Sequence, residues 1–370
     1  MKIAIAGTRG IPAHYGGFET FAEELSVRLA KRGHDVVVYG RKRFFTTYDG
    51  PASYRGVGIR ITSTVMHKYL ETPLHSLTTF IDLFFRPVDV VLLCNAANSP
   101  FSWISRLRGM PLATNVDGIE RLRGKWNSLG RLWYRLGELS AVFFSNRIVA
   151  DAQMIKHYYR ETYKTDSQVI AYGANVIRRS AGNVLAQFGL SARNYVLYVS
   201  RLEPENNALG VVEAYGRSSS QIPLVIVGDA PYAKEYIARV KAAADNRVVF
   251  TGFQFGEAYQ ELRSNALVAV QATEVGGTHP ALVEAMAYGN CVIANRVPEH
   301  EEVLGEAGLY YEKNDFSQLT KLFTKVLSDP DLIVRYGLLA QARAQEHYDW
   351  EAVTDKYERL FNELVEEQRK

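Results

Sequence analysis

Arg201 follows a short apolar run, Tyr195–Ser200, and so falls at the carboxyl end of a strand, where a guanidinium can bind a diphosphate bidentately. A cation at that point would stabilise the leaving group as a sugar–phosphate bond breaks. A surface ion pair with Glu203 or Glu205 is the plain alternative. Residues 274–287 read GluValGlyGlyThrHisProAlaLeuValGluAlaMetAla. Gly276 and Gly277 allow close backbone approach to a ligand. The amides of Gly277, Thr278 and His279 then point at an anion, together with the positive end of a helix beginning at Pro280. Glu284, one turn into that helix, suits hydrogen bonds from sugar hydroxyls; a solvated glutamate is the plain alternative. Gly228 ends another strand and can line a nucleotide pocket.

The first half offers a second loop of interest. After the strand Lys2–Ala6 comes GlyThrArgGlyIleProAlaHisTyrGlyGlyPheGlu, then a helix. A dinucleotide site requires GlyxGlyxxGly at this turn and an acidic residue ending the second strand. The glycines here are Gly7, Gly10, Gly16 and Gly17, and the second strand ends TyrGlyArgLys, which argues against a nicotinamide site. A longer loop ending in Gly16–Gly17 suits phosphate or sugar instead, with His14 and Glu19 as polar contacts; a merely structural turn is the alternative.

Short β-rich runs alternate with helical patterns along the chain, which predicts βαβ units and parallel sheets. Strands are expected near Lys2–Ala6, Asp35–Tyr39, Gly58–Ile61, Val88–Cys94, Leu112–Asn115 and Ile148–Ala150. The alternation restarts after a loop-like stretch, Tyr172–Asn194, with strands at Tyr195–Ser200, Leu224–Val227, Val248–Thr251, Leu267–Ala272 and Cys291–Ala294. At 370 residues and 41.6 kDa, two domains are expected. We place them at 1–185 and 186–349, each doubly wound, facing a central cleft, with a helix over 350–370 packing back on the first and Trp350 as its anchor. A net charge of +3 gives no global argument for nucleic acid. Cys94 and Cys291 lack metal or disulfide spacing and read as buried reduced thiols. The N-terminus reads as a strand rather than a leader, and no apolar run nears the roughly 18 residues needed to span a bilayer. A cytoplasmic protein is expected.

The segment Trp103–Arg147 is enriched in arginine: Arg106, Arg108, Arg121, Arg123, Arg131, Arg135 and Arg147, with Lys125, against Asp117, Glu120 and Glu138. Trp103, Trp126, Trp133, Tyr134, Phe143 and Phe144 are interleaved. A basic surface with aromatic anchors suits anionic lipid head groups. Aromatics at helical spacing, Trp133 and Phe143 among them, also suit a core, and the arginines a solvated face. No nucleic-acid module is visible.

These motifs resemble the family 4 glycosyltransferases of GT-B architecture, and within them the branch containing bacterial polysaccharide rhamnosyltransferases. The resemblance covers nearly the whole chain. It rests on residues 7–20, AsnValAspGlyIleGlu at 115–120, SerArgLeuGluProGluAsnAsn at 200–207, and 274–287. It implies a retaining hexosyltransferase using a nucleotide diphosphate sugar, dTDP- or UDP-linked, without cofactor or metal. The favoured reaction moves L-rhamnose from dTDP-L-rhamnose to a lipid-linked saccharide in capsule or O-antigen assembly, on the inner face of the cell membrane. An epimerase acting on a nucleotide sugar and a non-catalytic partner subunit are the alternatives. The resemblance assigns catalysis to Asp117, Arg201 and Glu284. It assigns donor binding to Gly16, Gly17, Asn206, Gly228, Glu274, Gly276, Gly277, Thr278 and His279, and the acceptor side to Arg9, His14, Tyr15 and Glu120. Three positions depart from the wider family: Asn206 replaces a lysine, Gly276 the first glutamate of a Glu-x7-Glu pair, and Asp117 a histidine. Glu274, two residues before Gly276, is the candidate substitute for that glutamate.

Overall fold

The structure is a computed structural model and describes residues 1–13, 16–42, 53–65, 67, 69–116, 118–122, 126–230 and 233–370. The chain divides into two compact units: residues 1–173 with 350–370, and residues 174–349.

Ile3, Ala4, Ile5 and Ala6 are fully buried, as a strand covered on both faces of a parallel sheet must be. They belong to β1 (Lys2–Ala6), which leads into α1 (Gly17–Lys31) and β2 (Asp35–Arg41). Then come β3 (Ser53–Tyr54), β4 (Val57–Thr62), α2 (Glu71–Phe85), β5 (Val90–Cys94), α3 (Trp103–Leu107) and β6 (Leu112–Asn115). α4 (Ser128–Phe144), β7 (Arg147–Ala150), α5 (Gln153–Tyr163) and β8 (Gln168–Val169) follow. The sheet order is β3-β4-β2-β1-β5-β6-β7-β8, parallel except for β3 against β4. The order therefore reverses between β1 and β5, which is where open α/β sheets leave a binding crevice at their carboxyl edge.

The second unit holds α6 (Asn183–Gln187), β9 (Val196–Val199), α7 (Ala208–Gly216), β10 (Leu224–Val227), α8 (Lys234–Ala242), β11 (Val248–Gly252) and α9 (Gly256–Asn265). It continues with β12 (Val268–Gln271), α10 (Pro280–Ala287), β13 (Cys291–Arg296), α11 (Pro298–Leu304), β14 (Leu309–Glu312), α12 (Phe316–Leu327) and α13 (Pro330–His347). Its six parallel strands run β11-β10-β9-β12-β13-β14, so the reversal here lies between β9 and β12. The unit begins at Ala174, whose N–H donates to the Tyr348 carbonyl at 2.8 Å. α6, inside the stretch expected to be loop, is held to α9 by two backbone N–H groups, of Gly182 and Leu185, on Glu261 Oε1. That attachment puts the boundary at 173/174 instead of 185/186.

The chain returns to the first unit with α14 (Trp350–Arg369). Trp350 is buried beside Phe21, and a Cβ on Gly173 would come within 2.6 Å of the indole, so only glycine fits there. Tyr357 packs on Phe21 at 5.4 Å and its hydroxyl accepts from Asn115 Nδ2 at 2.9 Å. On the outside, Arg32 bridges Glu351, Asp355 and Glu358. Among the described residues, no helix is long and apolar enough to cross a membrane.

Candidate active site

In the second unit Arg201 lies two residues beyond β9, at the reversal point. Its guanidinium is about a third exposed, and its one ion-pair contact among the described residues is Glu203 at 3.8 Å, at the outer limit of a pairing. The cation is thus available to an outside anion. Its own carbonyl accepts from Asn206 Nδ2 at 2.7 Å. Asn206 is 4% exposed, so its amide braces the turn and does not present itself at the surface. Gly228, just past β10, has φ of +136° and no room for a side chain, because a Cβ would stand 1.8 Å from the Ser200 carbonyl. The exits of β9 and β10 therefore press together.

The exit of β12 is tied to that of β9. Asn207, in the left-handed region at φ 60°, donates Nδ2 to the Ala272 carbonyl at 3.0 Å and to Glu274 Oε1 at 2.7 Å. The Glu274 N–H returns to the Glu205 carbonyl at 3.0 Å, and Glu274 Oε2 meets Lys313 Nζ at 3.1 Å. Glu274 thus fastens two loops and a lysine. Gly276 faces the His279 imidazole so closely that a Cβ would stand 2.4 Å from Cε1. A side chain at 276 would therefore require the His279 ring to turn away.

α10 begins at Pro280 with His279 as its N-cap, and Gly289, at φ +74°, closes it with a bond to the Met286 carbonyl. Thr278 is buried just ahead of the helix. His279 packs edge-on to His300, centroids 5.1 Å apart. His300 is fully buried and its Nδ1 donates to the Asn295 carbonyl at 2.9 Å; burial pushes its imidazole down to about 4. Glu284 is half-buried on α10 and accepts the Tyr259 hydroxyl proton. That hydroxyl in turn accepts from Arg263 Nε at 2.9 Å.

In the first unit, Gly7 follows β1 at φ +88°, and a Cβ there would lie 2.2 Å from the Cys94 carbonyl. Asn98 Nδ2 joins the two exits, donating to the carbonyls of Gly7 and Cys94 at 3.1 and 2.8 Å. Gly16 is the N-cap of α1 and Gly17 its first residue. Glu19 is buried and accepts the Arg9 N–H at 3.0 Å, while Glu23 accepts the Ala13 N–H at 2.7 Å. Both carboxylates shape the loop, so Glu19 acts inward. Glu120 opens a short 3-10 turn, Glu120–Leu122. Arg121 there donates to the Tyr158 hydroxyl, which donates to buried Glu138 at 2.8 Å. His14, Tyr15 and Asp117 lie outside the described residues, as do Arg123 and Lys125.

Residues 15–178 match the family model described as Glycosyltransferase Family 4, and residues 186–343 the one described as Glycosyl transferases group 1. Each half of the chain thus matches a glycosyltransferase family model, and the fold is GT-B. The O-antigen chain mannosyltransferase B of Escherichia coli is 25% identical over 197 residues, covering 50% of this chain and 51% of that protein. The chain thus spans about half the length of the first curated relatives it matches. The O-antigen chain mannosyltransferase C of Escherichia coli is 23% identical over 374 residues, with 96% of each covered. HepE of Anabaena, solved in complex with UDP, shares the fold with a TM-score of 0.78 at 17% identity, over 98% of this chain and 100% of that one.

Several residues around the site escape a reading by motif: Asn207, Tyr259, Arg263 and His300. For Tyr259 and Arg263 the available signal was their i,i+4 spacing on α9, which puts both on one helix face. The first unit also exposes a line of apolar side chains on α4, Leu129, Leu132, Leu136 and Phe143. Phe85 of α2 and Leu107 of α3 are 75% and 70% exposed. Arg108 Nε donates to the Phe84 carbonyl and Arg106 Nε to the Phe144 carbonyl, which binds the ends of the three helices into one surface. Trp133 turns the other way, half-buried, with its indole N–H on the Ala97 carbonyl at 3.1 Å.

Proposed function

We propose that this glycosyltransferase transfers a hexosyl group from a nucleotide diphosphate to a saccharide acceptor with retention of anomeric configuration. The observation that carries the reading is the joined pair of loops at the reversal point of the second unit. It leaves the Arg201 guanidinium accessible, and the tied loop at Glu274 leads into α10, which carries Glu284 one turn in. Arg201 and the amides of Gly277 and Thr278 would take the diphosphate charge, and Glu284 the ribose hydroxyls. As the bond from C1 to the phosphate oxygen breaks, the acceptor hydroxyl bonds to C1 from the same face. Its proton passes to the departing phosphate, which leaves as the nucleoside diphosphate. The part given to Asp117, a contact to the sugar, is taken from the motif AsnValAspGlyIleGlu alone.

The finer reading is L-rhamnose from dTDP-L-rhamnose, delivered to a polyprenyl-diphosphate-linked saccharide of a surface polysaccharide. The motifs at 7–20 and 274–287 support the sugar, and the relatedness to O-antigen mannosyltransferases supports the pathway class. HepE, which binds UDP and UDP-glucose, supports a nucleotide-linked donor. A lipid-linked acceptor calls for work at a bilayer, and the exposed apolar residues of α2, α3 and α4 beside Arg106, Arg108, Arg131 and Arg135 suit a peripheral stance on the anionic inner face.

The test is to incubate the purified protein with dTDP-L-rhamnose, GDP-mannose, UDP-GlcNAc or UDP-glucose and a polyprenyl-diphosphate saccharide. Transfer from dTDP-L-rhamnose with retained configuration, read by NMR of the product, is expected. Transfer from GDP-mannose alone would overturn the sugar. A new nucleotide sugar formed from donor alone would mark an epimerase, and donor binding without transfer a non-catalytic subunit.

A further inference from the structure

α9 buries a cation where a solvated helix face was to be expected. Arg263 is 2% exposed, and among the described residues no carboxylate lies within 4.0 Å of it. An uncompensated guanidinium in that position would be strongly destabilising. Its partners are Tyr259 and the backbone: Nε donates to the Tyr259 hydroxyl at 2.9 Å, a terminal nitrogen donates to the Ala281 carbonyl of α10 at 2.9 Å, and the guanidinium lies over the Tyr259 ring at 5.3 Å. A guanidinium can only donate, so the Tyr259 oxygen must accept, and its single proton is left for Glu284 Oε2. Burial, which raises the phenol far above its ordinary range, keeps that proton in place. The polarity of the chain is therefore fixed from Arg263 through Tyr259 to Glu284.

We infer that Tyr259 and Arg263 are positioning residues that set the Glu284 carboxylate for nucleotide recognition, with Arg263 supplying charge compensation through the phenol. The inference rests on the reading of Glu284 as a ribose contact. Orientation by a buried donor removes the rotamer freedom that an exposed glutamate would otherwise lose on binding. It also spans two elements: α9 supplies the donors and α10 both the acceptor carboxylate and the Ala281 carbonyl, so the carboxylate and the helix that carries it are held by the same cation.

The experiment is a thermodynamic cycle on the intact protein with Tyr259→Phe, Glu284→Gln and the double variant, titrated by calorimetry with dTDP and, separately, UDP. Tyr259→Phe keeps the ring and loses only the hydroxyl. About a tenfold weaker affinity is expected, the scale of one hydrogen bond to a charged group, with donor KM rising more than kcat falls. The double variant should bind no more weakly than Glu284→Gln, because the phenol acts through the carboxylate. Wild-type affinity in Tyr259→Phe alongside weakened Glu284→Gln would overturn the relay and leave the ribose reading standing. Additive losses would overturn it too. Unchanged affinity in both single variants would remove the ribose reading and the relay together. Because Arg263→Gln removes a buried cation and invites misfolding, Arg263→Lys serves as the second probe. It retains the charge but not the fork, so weakened nucleotide binding by a protein that still unfolds cooperatively is expected, and wild-type affinity would count against the guanidinium's part.

Discussion

Asn207 donates its side-chain amide to Glu274 across 2.7 Å, and those two residues belong to loops leaving adjacent strands, β9 and β12. The contact is charge-assisted and partly buried, which makes it one of the stronger single bonds in the second unit. Asn207→Ala should remove about 2 kcal/mol of stability, given the loss of a bond to a carboxylate. Donor KM should rise as the loops separate. An unchanged denaturation midpoint would show that the two loops do not depend on this bond.

Arg201→Ala and Glu284→Ala should each lower turnover by on the order of 10²-fold, the scale of losing one preorganised electrostatic contact. Steady-state kinetics with saturating acceptor checks this. Near-normal rates in both variants would move the donor site elsewhere.

Two buried histidines make the fold acid-sensitive. His300 is pushed down to about 4 by burial, and His75 to about 3 by burial and the nearby charge of Arg41. An unfolded imidazole takes up its proton near pH ~6.5. As pH falls below that value the unfolded state binds protons that the folded state refuses, so stability is full above pH ~6.5 and is lost on the way down to 4. Each histidine contributes a slope of up to about 1.4 kcal/mol per pH unit. Guanidinium denaturation at pH 7, 6 and 5 should show the decline, and His300→Gln should flatten it. A variant with the wild-type slope would rule His300 out as a source.

Trp350→Ala should cost about 3–5 kcal/mol, the range for truncating a buried tryptophan. Its ring is 3% exposed and sits against Gly173 and Phe21. Gly173→Val should act alike by excluding the ring. Thermal melts of both variants test the pair, and a loss in one alone would separate the two effects.

If the α2–α3–α4 surface meets a bilayer, then replacing Phe85, Leu107 and Phe143 by serine should abolish flotation with anionic vesicles and leave the melting temperature unchanged. All three are mostly exposed, so the folded core does not need them. Binding that survives the triple change but falls with salt would assign the contact to the arginines alone.

How far the sequence foretells this structure depends on burial. Strands buried along nearly their whole length, such as Lys2–Ala6, Leu112–Asn115 and Leu224–Val227, have the bounds their sequences suggest, although only the last is apolar throughout: Leu112–Asn115 ends in buried Thr114 and Asn115, and Lys2 is exposed. α4 is equally legible, between the Asn127 cap on the Gly130 N–H and Phe144. The two-residue strands β3 and β8 are edge pieces too short to leave a period. β14 is half-buried and tyrosine-rich, and so escapes notice. At the site, Pro280 and Gly289 announce α10, whereas the inward turn of Asn206 depends on a contact with its own loop that no spacing encodes. Arg263 is the hardest case, since an arginine on a polar helix reads as solvated until the helix opposite is known.

The return of residues 350–370 to the first unit bears on the order in which the protein matures. A nascent chain translated as far as residue 349 holds every segment of the second unit, yet still lacks the helix that covers Phe21 and Tyr172. The later-made half can close first, while the earlier-made half must keep an oily flank exposed until its final helix arrives. Phe21 and Tyr172 are thus among the last core residues of the first half to be covered.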